Sequence, residues 1–392
     1  MAELKKIKTA IVGCGSISNI YCKNLKNMYQ IVDLVAVCDL FPEAARVRAE
    51  QFGIEKVLTM EEICRDPEIE LVVNLTGPAQ HYEVIAQLLK AGKNVYSEKP
   101  LADTFEKAKE LITLAEEKHV ALGCAPDTFF GAPWQTAIGY MDKGLIGQVQ
   151  SFSVIASRNL LLFSETMRML RGAGGTIPYD QGPYYLNVLI AMFGPVEKVT
   201  GFSKGSRPYE GRLFGAGNYQ ESWELVGSNV QAAVLKFTSG VIGTILLDGN
   251  GCQDGQADFT IIGSDGTLKL GTADHFSGTV TLIQNGKTVE IPNTHGFKGT
   301  PIYGDPMPAW DWGEDRGAGV AELCYSMQLQ RPHRCSKEMA LHVVEVIEGI
   351  DQSSRSGETY TMTTTCDRPR PLPAGYTAVT GVGITAEASL ML

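Results

Sequence analysis

The sequence predicts an α/β protein, with an N-terminal doubly wound parallel sheet and a following α+β domain built on a large, mostly antiparallel open sheet. Two observations support this prediction. Over roughly the first 125 residues, continuous apolar runs alternate with helical patterns, as in a parallel sheet covered by helices on both faces. From residue 148 to residue 293, predicted strands follow one another with turn signals between them, which indicates an antiparallel sheet.

These patterns divide the chain of 392 residues, which is long enough for two domains with separate cores. We assign residues 1–126 to the first domain, residues 127–365 to the second, and residues 366–392 to an irregular tail rich in Pro, Thr and Gly. A large apolar sheet face is seldom left exposed to water. We therefore expect the second sheet to pair with a partner subunit in a homo-oligomer, either a dimer or a tetramer.

The elements of the first domain follow from local signals. Proline in the first turn opens a helix at Pro42, and glycine ends it near Gly53. The remaining predicted elements are a strand over 69–75, a helix through 85–89, a strand over 94–96, a helix through 111–115 and a strand over 120–122.

The elements of the second domain are mostly hairpins. The turn Asn285-Gly286 is a strong hairpin signal between strands 279–283 and 288–291. The other predicted elements are a strand over 151–154, a hairpin of 231–237 with 241–247, and late helices near 317–329 and 336–353.

A glycine-rich segment between the first two strands predicts a dinucleotide site. Strand, Gly-rich turn, helix, strand and acid follow in that order, which is the fingerprint of a Rossmann domain. Gly13 permits the tight turn, and Gly15 lets the backbone approach a pyrophosphate. The helix N-terminus at Ser16 and Ile17 offers N–H groups and a partial positive charge to that pyrophosphate. Ser18 stands where the third glycine of the motif is usual.

Asp39 favours NAD over NADP as the cofactor. It follows Gly13 by 26 residues and ends the second strand, where its carboxylate can accept both hydroxyls of a ribose. The same carboxylate repels a 2′-phosphate. The next residues, Leu40-Phe41-Pro42, bring no positive charge, and Arg46 lies at least one helical turn away.

Three polar segments are expected to meet at the carboxyl ends of the parallel strands, where open α/β sheets bind ligands. They are Thr76-Gly77-Pro78-Ala79-Gln80-His81, Glu98-Lys99-Pro100 and Asp180-Gln181-Gly182-Pro183-Tyr184.

In this order, the motifs resemble the Gfo/Idh/MocA oxidoreductases, a family of glucose–fructose oxidoreductase and inositol dehydrogenase-like proteins. Glu98-Lys99-Pro100, preceded by Ala91-Gly92-Lys93-Asn94-Val95, carries the most specific part of the resemblance, which extends to about residue 365. It implies hydride transfer between NAD(P) and a secondary hydroxyl or ketone of a sugar, polyol or glycoside, with the ring 3-position of a glycoside as one candidate.

The resemblance also implies site residues. We expect Thr76, Gly77, Pro78, His81, Glu98 and Lys99 to line the cofactor, with His81 orienting its loop. The family pattern in the second domain reads Asp-x-Gly-x-His-x-x-Asp, and its histidine is the usual base. Here Tyr184 replaces the histidine, and Asn187 replaces the second acid. Where the family often has an arginine after the sixth strand, this chain has Asp127.

Three residues are therefore candidates for proton transfer: Lys99, Asp180 and Tyr184. A neighbouring ammonium and a positive nicotinamide both lower the pKa of a phenol, which would activate Tyr184. The same crowding of positive charge predicts a lowered pKa for Lys99, which would make it a base in its own right. Asp180 would hold Lys99 or take the proton itself. As the alternative, Tyr184 is only a packed core aromatic.

Residues near the expected cleft raise further alternatives. The apolar segment 160–163, with Met167, Met169 and Leu170, either rims a cleft for a sugar with an apolar group or packs an interface. Trp310 and Trp312 have the same two interpretations. Arg316 either reaches the cleft or lies in a surface turn.

Composition excludes several classes of function. A net charge of −10 argues against nucleic-acid binding. No apolar run is long enough to span a membrane, and no signal peptide is evident, so we expect a cytoplasmic protein. The nine cysteines show no metal-binding spacing, and we predict no metal. Beside the dehydrogenase, two alternatives stay open: a regulatory NAD-binding protein without catalysis, and a reductase of a non-sugar ring.

Overall fold

Two separate sheets organise the computed structural model, which describes residues 4–210, 222–251, 256–297 and 315–374. The first sheet has six strands in the order β3-β2-β1-β4-β5-β6, and every pairing in it is parallel. Its strands are β1 (Ile7–Val12), β2 (Val32–Cys38), β3 (Lys56–Val57), β4 (Leu71–Asn74), β5 (Asn94–Ser97) and β6 (Leu122–Cys124). The strand order reverses direction between β1 and β4, and the crevice at such a point is where these sheets bind ligands.

Helices cover both faces of this sheet, as the sequence predicts. They are α1 (Ser18–Asn27), α2 (Pro42–Phe52), α3 (Met60–Arg65), α4 (His81–Lys90) and α5 (Phe105–Lys118). Side chains alternate along β1, so that Ala10 and Val12 join the core beneath α4 and α5, while Ile11 joins the core beneath α1. Burial on both faces explains the continuous apolar strands of the sequence.

The second sheet has nine strands in the order β16-β15-β14-β13-β7-β12-β11-β8-β17. It is antiparallel except for the parallel pair β7 and β12, which confirms the predicted mixed, mostly antiparallel sheet. Asn285 and Gly286 have φ of 52° and 70°, as a type I′ hairpin turn requires. The strands are β7 (Val149–Ser157), β8 (Val196–Gly205), β11 (Ser228–Phe237), β12 (Ile242–Asp248), β13 (Gln256–Gly263), β14 (Thr267–Leu270), β15 (Val280–Gln284), β16 (Lys287–Ile291) and β17 (Tyr360–Thr361). A separate short pair consists of β9 (Tyr209–Glu210) and β10 (Ser222–Trp223).

Four helices of the second domain lie before or between the first two strands of this sheet. They are α6 (Ala132–Asp142), α7 (Leu160–Thr166), α8 (Ile177–Asp180) and α9 (Gly182–Phe193). Every residue of α9 is buried, so its sequence is apolar all round and lacks the periodicity of a surface helix. The sequence predicts few helices between residues 148 and 293, with one that begins near Pro183. The described residues of this range hold the α-helices α7, α8 and α9, and α9 confirms the helix near Pro183.

Two late helices join the domains. The first, α10 (Ala318–Leu329), packs on β2, β5 and β6 of the parallel sheet. The second, α11 (Lys337–Ser356), contacts α5 and β6 on one side and β8 and α9 on the other. Both helices agree with the predicted positions, and they fix the parallel sheet and α9 relative to each other.

The described part of the tail, residues 366–374, has no helix or strand. It is nevertheless attached to the second domain, because Arg368 donates to the carbonyl of Ala191 at 2.8 Å and Leu372 N donates to Gln135 Oε1 at 2.7 Å. Across the four described ranges of the chain, no helix combines the length and the apolar character that a membrane span requires.

Candidate active site

The turn after β1 is built as a tight loop that is open on one side. Gly13 has φ of +99°, and a Cβ at this position would lie 2.6 Å from the main-chain carbon of Leu75. At Gly15, by contrast, a Cβ would meet no described atom within 4 Å. The helix α1 then begins without a side-chain cap and without an acid in its first turn. The N–H groups of Ser18 and Asn19 donate to the carbonyls of Gly15 and Ser16 at 3.2 Å each, so the open space at Gly15 lies beside the turn that leads into the positive end of α1.

Asp39 joins the end of β2 to this loop. Its Oδ2 accepts from Cys14 N at 2.6 Å, and its Oδ1 accepts from Phe41 N at 2.8 Å. Each carboxylate oxygen has a second lone pair, so Asp39 retains the capacity to accept from a ribose. Burial raises the pKa of Cys14 to about 12, which agrees with its interpretation as a small inert residue.

Arg48 is a residue beside this loop that the sequence analysis missed. Its Nη2 donates to the carbonyl of Gly15 at 3.2 Å and its Nη1 donates to Asn19 Oδ1 at 2.9 Å. Arg46 is the positive charge considered above as a partner for the 2′-phosphate of NADP. It instead pairs with Glu43 at 2.9 Å on the exposed side of α2. Arg46 and Arg48 are two positions apart in α2, so their side chains leave the helix on different sides. No local sequence motif shows which of the two faces the glycine-rich loop.

The loop after β4 is tied to the neighbouring strand end. Thr76 Oγ1 donates to Asn74 Oδ1 at 2.8 Å. His81 Nδ1 lies 2.6 Å from the carbonyl of Pro100, and its Nε2 lies 2.9 Å from the carbonyl of Thr76. Burial lowers the pKa of His81. This ring joins the segment of residues 76–81 to the Glu-Lys-Pro turn, in agreement with an orienting role.

Lys99 and Asp180 form a direct pair at the carboxyl edge of the parallel sheet. Lys99 Nζ donates to Asp180 Oδ1 at 2.9 Å and to the carbonyl of Asp180 at 2.6 Å. Their side chains are 13% and 16% exposed, so solvent screens the pair only weakly. The ammonium also lies 5.0 Å from the ring centroid of Tyr184, whose side chain comes from the first turn of α9.

The charge states in this cluster differ from the sequence prediction. Burial acts to lower the pKa of Lys99, but Asp180, together with Tyr184 and Glu98, outweighs burial and raises it. Burial acts to raise the pKa of Asp180, but Lys99 and Arg158 lower it overall. The predicted lowering of the Lys99 pKa is therefore wrong, because the nearest charge to its ammonium is a carboxylate and not another cation.

Tyr184 also departs from expectation. Burial raises the pKa of its phenol, and the neighbouring cations Arg316 and Lys99 offset this only in part. The predicted effect of Lys99 has the right sign, but desolvation of the buried phenolate is larger, so the protein groups together raise the pKa of Tyr184; the effect of a positive nicotinamide stays a prediction. The neutral phenol is therefore the resting form of Tyr184 at neutral pH.

Glu98 contacts Tyr21, Lys99 and Arg316. Its Oε1 accepts from the hydroxyl of Tyr21 at 2.9 Å and lies 3.8 Å from Arg316 Nη1, while its Oε2 accepts from Lys99 N at 3.0 Å. Arg316 reaches the cleft and is buried, so its alternative as a surface turn is wrong. Arg158, which the sequence analysis did not weigh, lies 3.9 Å from Asp180 Oδ2.

Two departures from the family pattern have structural roles. Asn187 Nδ2 donates to the carbonyl of Pro126 at 3.2 Å, which ties α9 to the end of β6. Asp127 is buried, and its Oδ2 accepts from Gly317 N at 3.0 Å and from Gly319 N at 2.9 Å. Burial raises the pKa of Asp127 to about 6. The acid that replaces the arginine thus holds the start of α10.

The apolar residues before the active-site helix divide into two groups. Leu160 and Leu161 lie in α7, and they and Leu170 are buried, which agrees with the packing interpretation for these three residues and not with a cleft rim. Met167 and Met169 are 44% and 54% exposed. Trp310 and Trp312 lie outside the described residues.

Comparison with known families identifies the fold that carries this site. Residues 7–125 match an oxidoreductase family with an NAD-binding Rossmann fold, and residues 134–269 match the Gfo/Idh/MocA C-terminal domain. The chain belongs to the Gfo/Idh/MocA family. The glycine-rich turn, the start of α1 with no acid in its first turn, and Asp39 fit the dinucleotide that this Rossmann domain implies. With Ser16, Ile17 and the segment 76–81, they are the residues that would hold it.

Individual relatives share part of the chain. An inositol 2-dehydrogenase/D-chiro-inositol 3-dehydrogenase of Lactiplantibacillus plantarum is 34% identical over 114 residues, which are 29% of this chain and 33% of that protein. A scyllo-inositol 2-dehydrogenase (NADP(+)) of Bacillus subtilis is 27% identical over 201 residues, 50% of this chain and 55% of that protein. The chain thus spans about half the length, or less, of these curated relatives.

Solved structures match over nearly the whole chain. A levoglucosan dehydrogenase in complex with NADH superposes with a TM-score of 0.74 at 16% identity, covering 92% of this chain and 100% of that one. An aldose–aldose oxidoreductase from Caulobacter crescentus gives a TM-score of 0.73 at 19% identity, covering 91% and 100% of the two chains. At such identities, these similarities show the shared fold alone.

Proposed function

We propose that this Gfo/Idh/MocA protein is a dehydrogenase that transfers hydride between NAD(H) and a secondary hydroxyl or ketone of a sugar, polyol or glycoside. The observation that supports it most directly is the pair of Lys99 and Asp180, 2.9 Å apart, beside the buried Tyr184 at the carboxyl edge of the parallel sheet. The inositol dehydrogenases among the relatives support the substrate class.

The charge states divide the roles in this proposal. Lys99 remains protonated because Asp180 raises its pKa, so it has no lone pair for a proton and instead donates a hydrogen bond to the substrate oxygen. Asp180 remains ionised with a lowered pKa, which makes it a weak base that serves to hold Lys99. Tyr184 is left as the group that exchanges a proton with the substrate oxygen.

When bound, the nicotinamide cofactor accepts or supplies the hydride. We propose NAD and not NADP as this cofactor, since the carboxylate of Asp39 at the end of β2 would repel a 2′-phosphate and Arg46 is paired with Glu43. Glu98 and His81 position the Glu-Lys-Pro turn and the segment 76–81 around the site.

The surroundings of the site support an apolar substituent on the substrate. Met167 and Met169 are half-exposed. A Cβ added to Gly77, in the predicted cofactor loop, would lie 3.8 Å from the Cβ of Met169, so this methionine is close to the loop. Methionine makes adaptable apolar contacts. A glycoside whose aglycone lies against these methionines is therefore our preferred substrate, oxidised or reduced at a ring hydroxyl such as the 3-position.

A second candidate function is a regulatory NAD-binding protein without catalysis. Tyr184 and Asn187, which replace the family histidine and acid, favour it. A sensor would bind NAD(H) with the same loop, yet it would have no need of a buried Lys99–Asp180 pair.

The decisive experiment is a screen that follows the absorbance of reduced nicotinamide with inositols, free sugars and aryl glycosides. We expect turnover in the native protein that falls by about two or more orders of magnitude in Lys99→Ala, the scale of a lost hydrogen-bond donor to the reacting oxygen. Lys107→Ala removes the exposed Lys107–Asp103 pair at 2.9 Å and is the matched control. NAD(H) binding with no turnover on any substrate would favour the regulatory protein, and turnover only on a non-sugar ring would change the substrate class.

A further inference from the structure

Arg316 makes a direct contact with the phenol of Tyr184 that the proposed mechanism does not yet use. Its Nη1 donates to the Tyr184 hydroxyl oxygen at 3.1 Å, and its guanidinium carbon lies 5.4 Å from the ring centroid. A guanidinium has donors only, so the phenol oxygen must accept this bond. The O–H of Tyr184 is thereby left to point away from Arg316.

The main chain of Arg316 is held on both sides. Asn24 of α1 donates its Nδ2 to the carbonyl of Arg316 at 2.8 Å, and the carbonyl of Asp315 accepts from the hydroxyl of Tyr29. On the other side, Asp127 accepts from Gly317 N and Gly319 N. These bonds fix the backbone on either side of the residue. The guanidinium itself is held by Nη1, which donates to Tyr184, and by Nη2, which donates to the carbonyl of Asp274 at 3.4 Å, so little reorganisation is needed when charge develops on Tyr184.

The charged groups around the phenol differ in how they are already paired. Lys99 donates at 2.9 Å to Asp180, whereas the carboxylate of Glu98 is 3.8 Å from Arg316 and accepts from Tyr21. These four groups, Lys99, Asp180, Glu98 and Arg316, are the charges that act on the Tyr184 phenol. Of the two cations among them, Arg316 is the one that donates a hydrogen bond to the phenol oxygen of Tyr184.

We propose that Arg316 is a positioning residue that stabilises the phenolate of Tyr184, and that the Tyr184–Arg316 pair carries out the task of the missing histidine. In oxidation, the O–H bond of the substrate breaks and its proton forms a new O–H bond on the Tyr184 phenolate, while the carbon–hydrogen electron pair leaves as hydride to the nicotinamide. In reduction, both transfers run in reverse, and Arg316 stabilises the phenolate that forms. This inference rests on the proposed dehydrogenase function.

The arrangement suits this task because the charge of arginine does not titrate in the working range of the enzyme. A histidine at this position would itself gain and lose the proton. A phenol needs a permanent neighbouring cation, since burial alone disfavours its ionised form. Arg316 lies 132 residues further along the chain than Tyr184, so the substitution of the histidine is compensated from the segment that precedes α10 and not from α9.

The test is a titration of Tyr184 that needs no turnover. The difference in phenolate absorbance between the native protein and Tyr184→Phe, followed with pH, isolates Tyr184 from the other tyrosines. The same difference between Arg316→Met and the double variant Arg316→Met/Tyr184→Phe reports Tyr184 without the guanidinium. We expect the ionisation constant of Tyr184 to fall by about tenfold or more in the Arg316→Met background, as for the loss of an adjacent opposite charge.

Arg316→Lys keeps a charge without the planar fork and should give a smaller shift. It also serves as the second variant if Arg316→Met does not fold. An unchanged titration in a folded Arg316 variant would overturn the proposal, and so would a Tyr184 that does not ionise below the pH at which the native protein unfolds. Because the titration uses protein without substrate, a shift in a protein that lacks dehydrogenase activity would contradict the proposed function alone.

Discussion

At the scale of single residues, Tyr184 determines how the rate should depend on pH. Burial raises the pKa of its phenol, so the phenol is protonated at neutral pH and ready to act as an acid. Reduction of a ketone should therefore be level near neutral pH and fall as pH rises through the Tyr184 pKa. Oxidation needs the phenolate and should instead rise with pH.

Tyr184→Phe should remove this pH dependence while keeping the ring in the core. We expect a loss of about 10² to 10⁴ in turnover, the usual contribution of a general acid–base group. The measurement is the pH–rate profile in both directions, with Tyr140→Phe as a control because this tyrosine lies in α6, away from the cluster of Lys99, Asp180 and Tyr184. A Tyr184→Phe profile that overlays the native one would mean that Tyr184 is only a wall of the site.

Asp39 should set the preference between the two nicotinamide cofactors. A hydrogen bond to a charged group contributes about 1.5–3 kcal/mol, so Asp39→Ala should weaken NAD binding by about tenfold to a hundredfold. NADP binding should fall less or improve, because the repulsion of a 2′-phosphate is removed. Calorimetric titration with both cofactors measures this, and Glu50→Ala on the exposed side of α2 is the control.

Asp39 also accepts hydrogen bonds from Cys14 N and Phe41 N, which offers a competing explanation. If its role were only to order the loop, Asp39→Ala would weaken NAD and NADP equally. Only a change in the ratio of the two affinities supports recognition of the ribose.

At the scale of elements, the turn between β1 and α1 holds two glycines with different expected roles. Gly13 should matter for stability, and Gly15 should matter for NAD(H) binding. In Gly13→Ala, the new Cβ would lie 2.6 Å from the backbone of Leu75 at a φ of +99°. The left-handed conformation alone costs an L-residue about 1–2 kcal/mol, so we expect a lower free energy of unfolding by at least that amount. Chemical denaturation measures it, and an unchanged midpoint would contradict the described turn.

Gly15→Ala should behave in the opposite way. A Cβ there meets no described atom within 4 Å, so the melting temperature should stay close to the native value. The methyl group would nevertheless project into the space in which the pyrophosphate is expected, and NAD(H) affinity should fall clearly. Fluorescence titration with NADH checks this, and native affinity in Gly15→Ala would move the predicted pyrophosphate site elsewhere.

The same elements explain how far sequence reasoning reaches. The parallel sheet, the hairpins and both late helices follow from local periodicity and turn residues such as Asn285-Gly286. The helix α9 carries Tyr184 but is buried all round, so its apolar run has no helical period to read. Its place in the site was predictable only because the motif from Asp180 to Asn187 resembles that of a family.

Charge states were the least predictable property of the site, because they depend on distances that the sequence does not contain. The motif predicts that Lys99 lies near Asp180. The direction of the Lys99 pKa shift, however, depends on the 2.9 Å contact with Asp180, whose effect is larger than that of burial. The approach of Arg316 to Tyr184 depends on α10 returning to the parallel sheet after the second domain is complete. No local signal near Arg316 reports that return.

At the scale of the whole molecule, the outer face of the nine-stranded sheet exposes large apolar side chains to solvent. Phe202 is 75% exposed, and the register of β8, β11, β12 and β7 places it in one row with Ala232, Leu246 and Ile155. Val234 and Ile242, each 49% exposed, lie in the next row and in the one after it on the same face. Contiguous exposed apolar residues of this kind are typical of protein–protein interfaces. We propose that this face joins two copies of the chain about a twofold axis.

Phe202→Glu should therefore dissociate the oligomer. Burying a phenylalanine contributes about 1.5–3 kcal/mol, and a twofold interface loses that contribution twice and brings two carboxylates together. Sedimentation at micromolar concentrations should show a lower mass for Phe202→Glu than for the native protein. Val47→Glu places the same charge at an exposed valine of α2, away from the sheet, and should leave the mass unchanged. Since Phe202 lies outside the cluster of Lys99, Asp180 and Tyr184, NAD(H) affinity should be retained in the smaller species. A native mass for Phe202→Glu, or a native protein that sediments as a monomer, would show that this face is not the subunit interface.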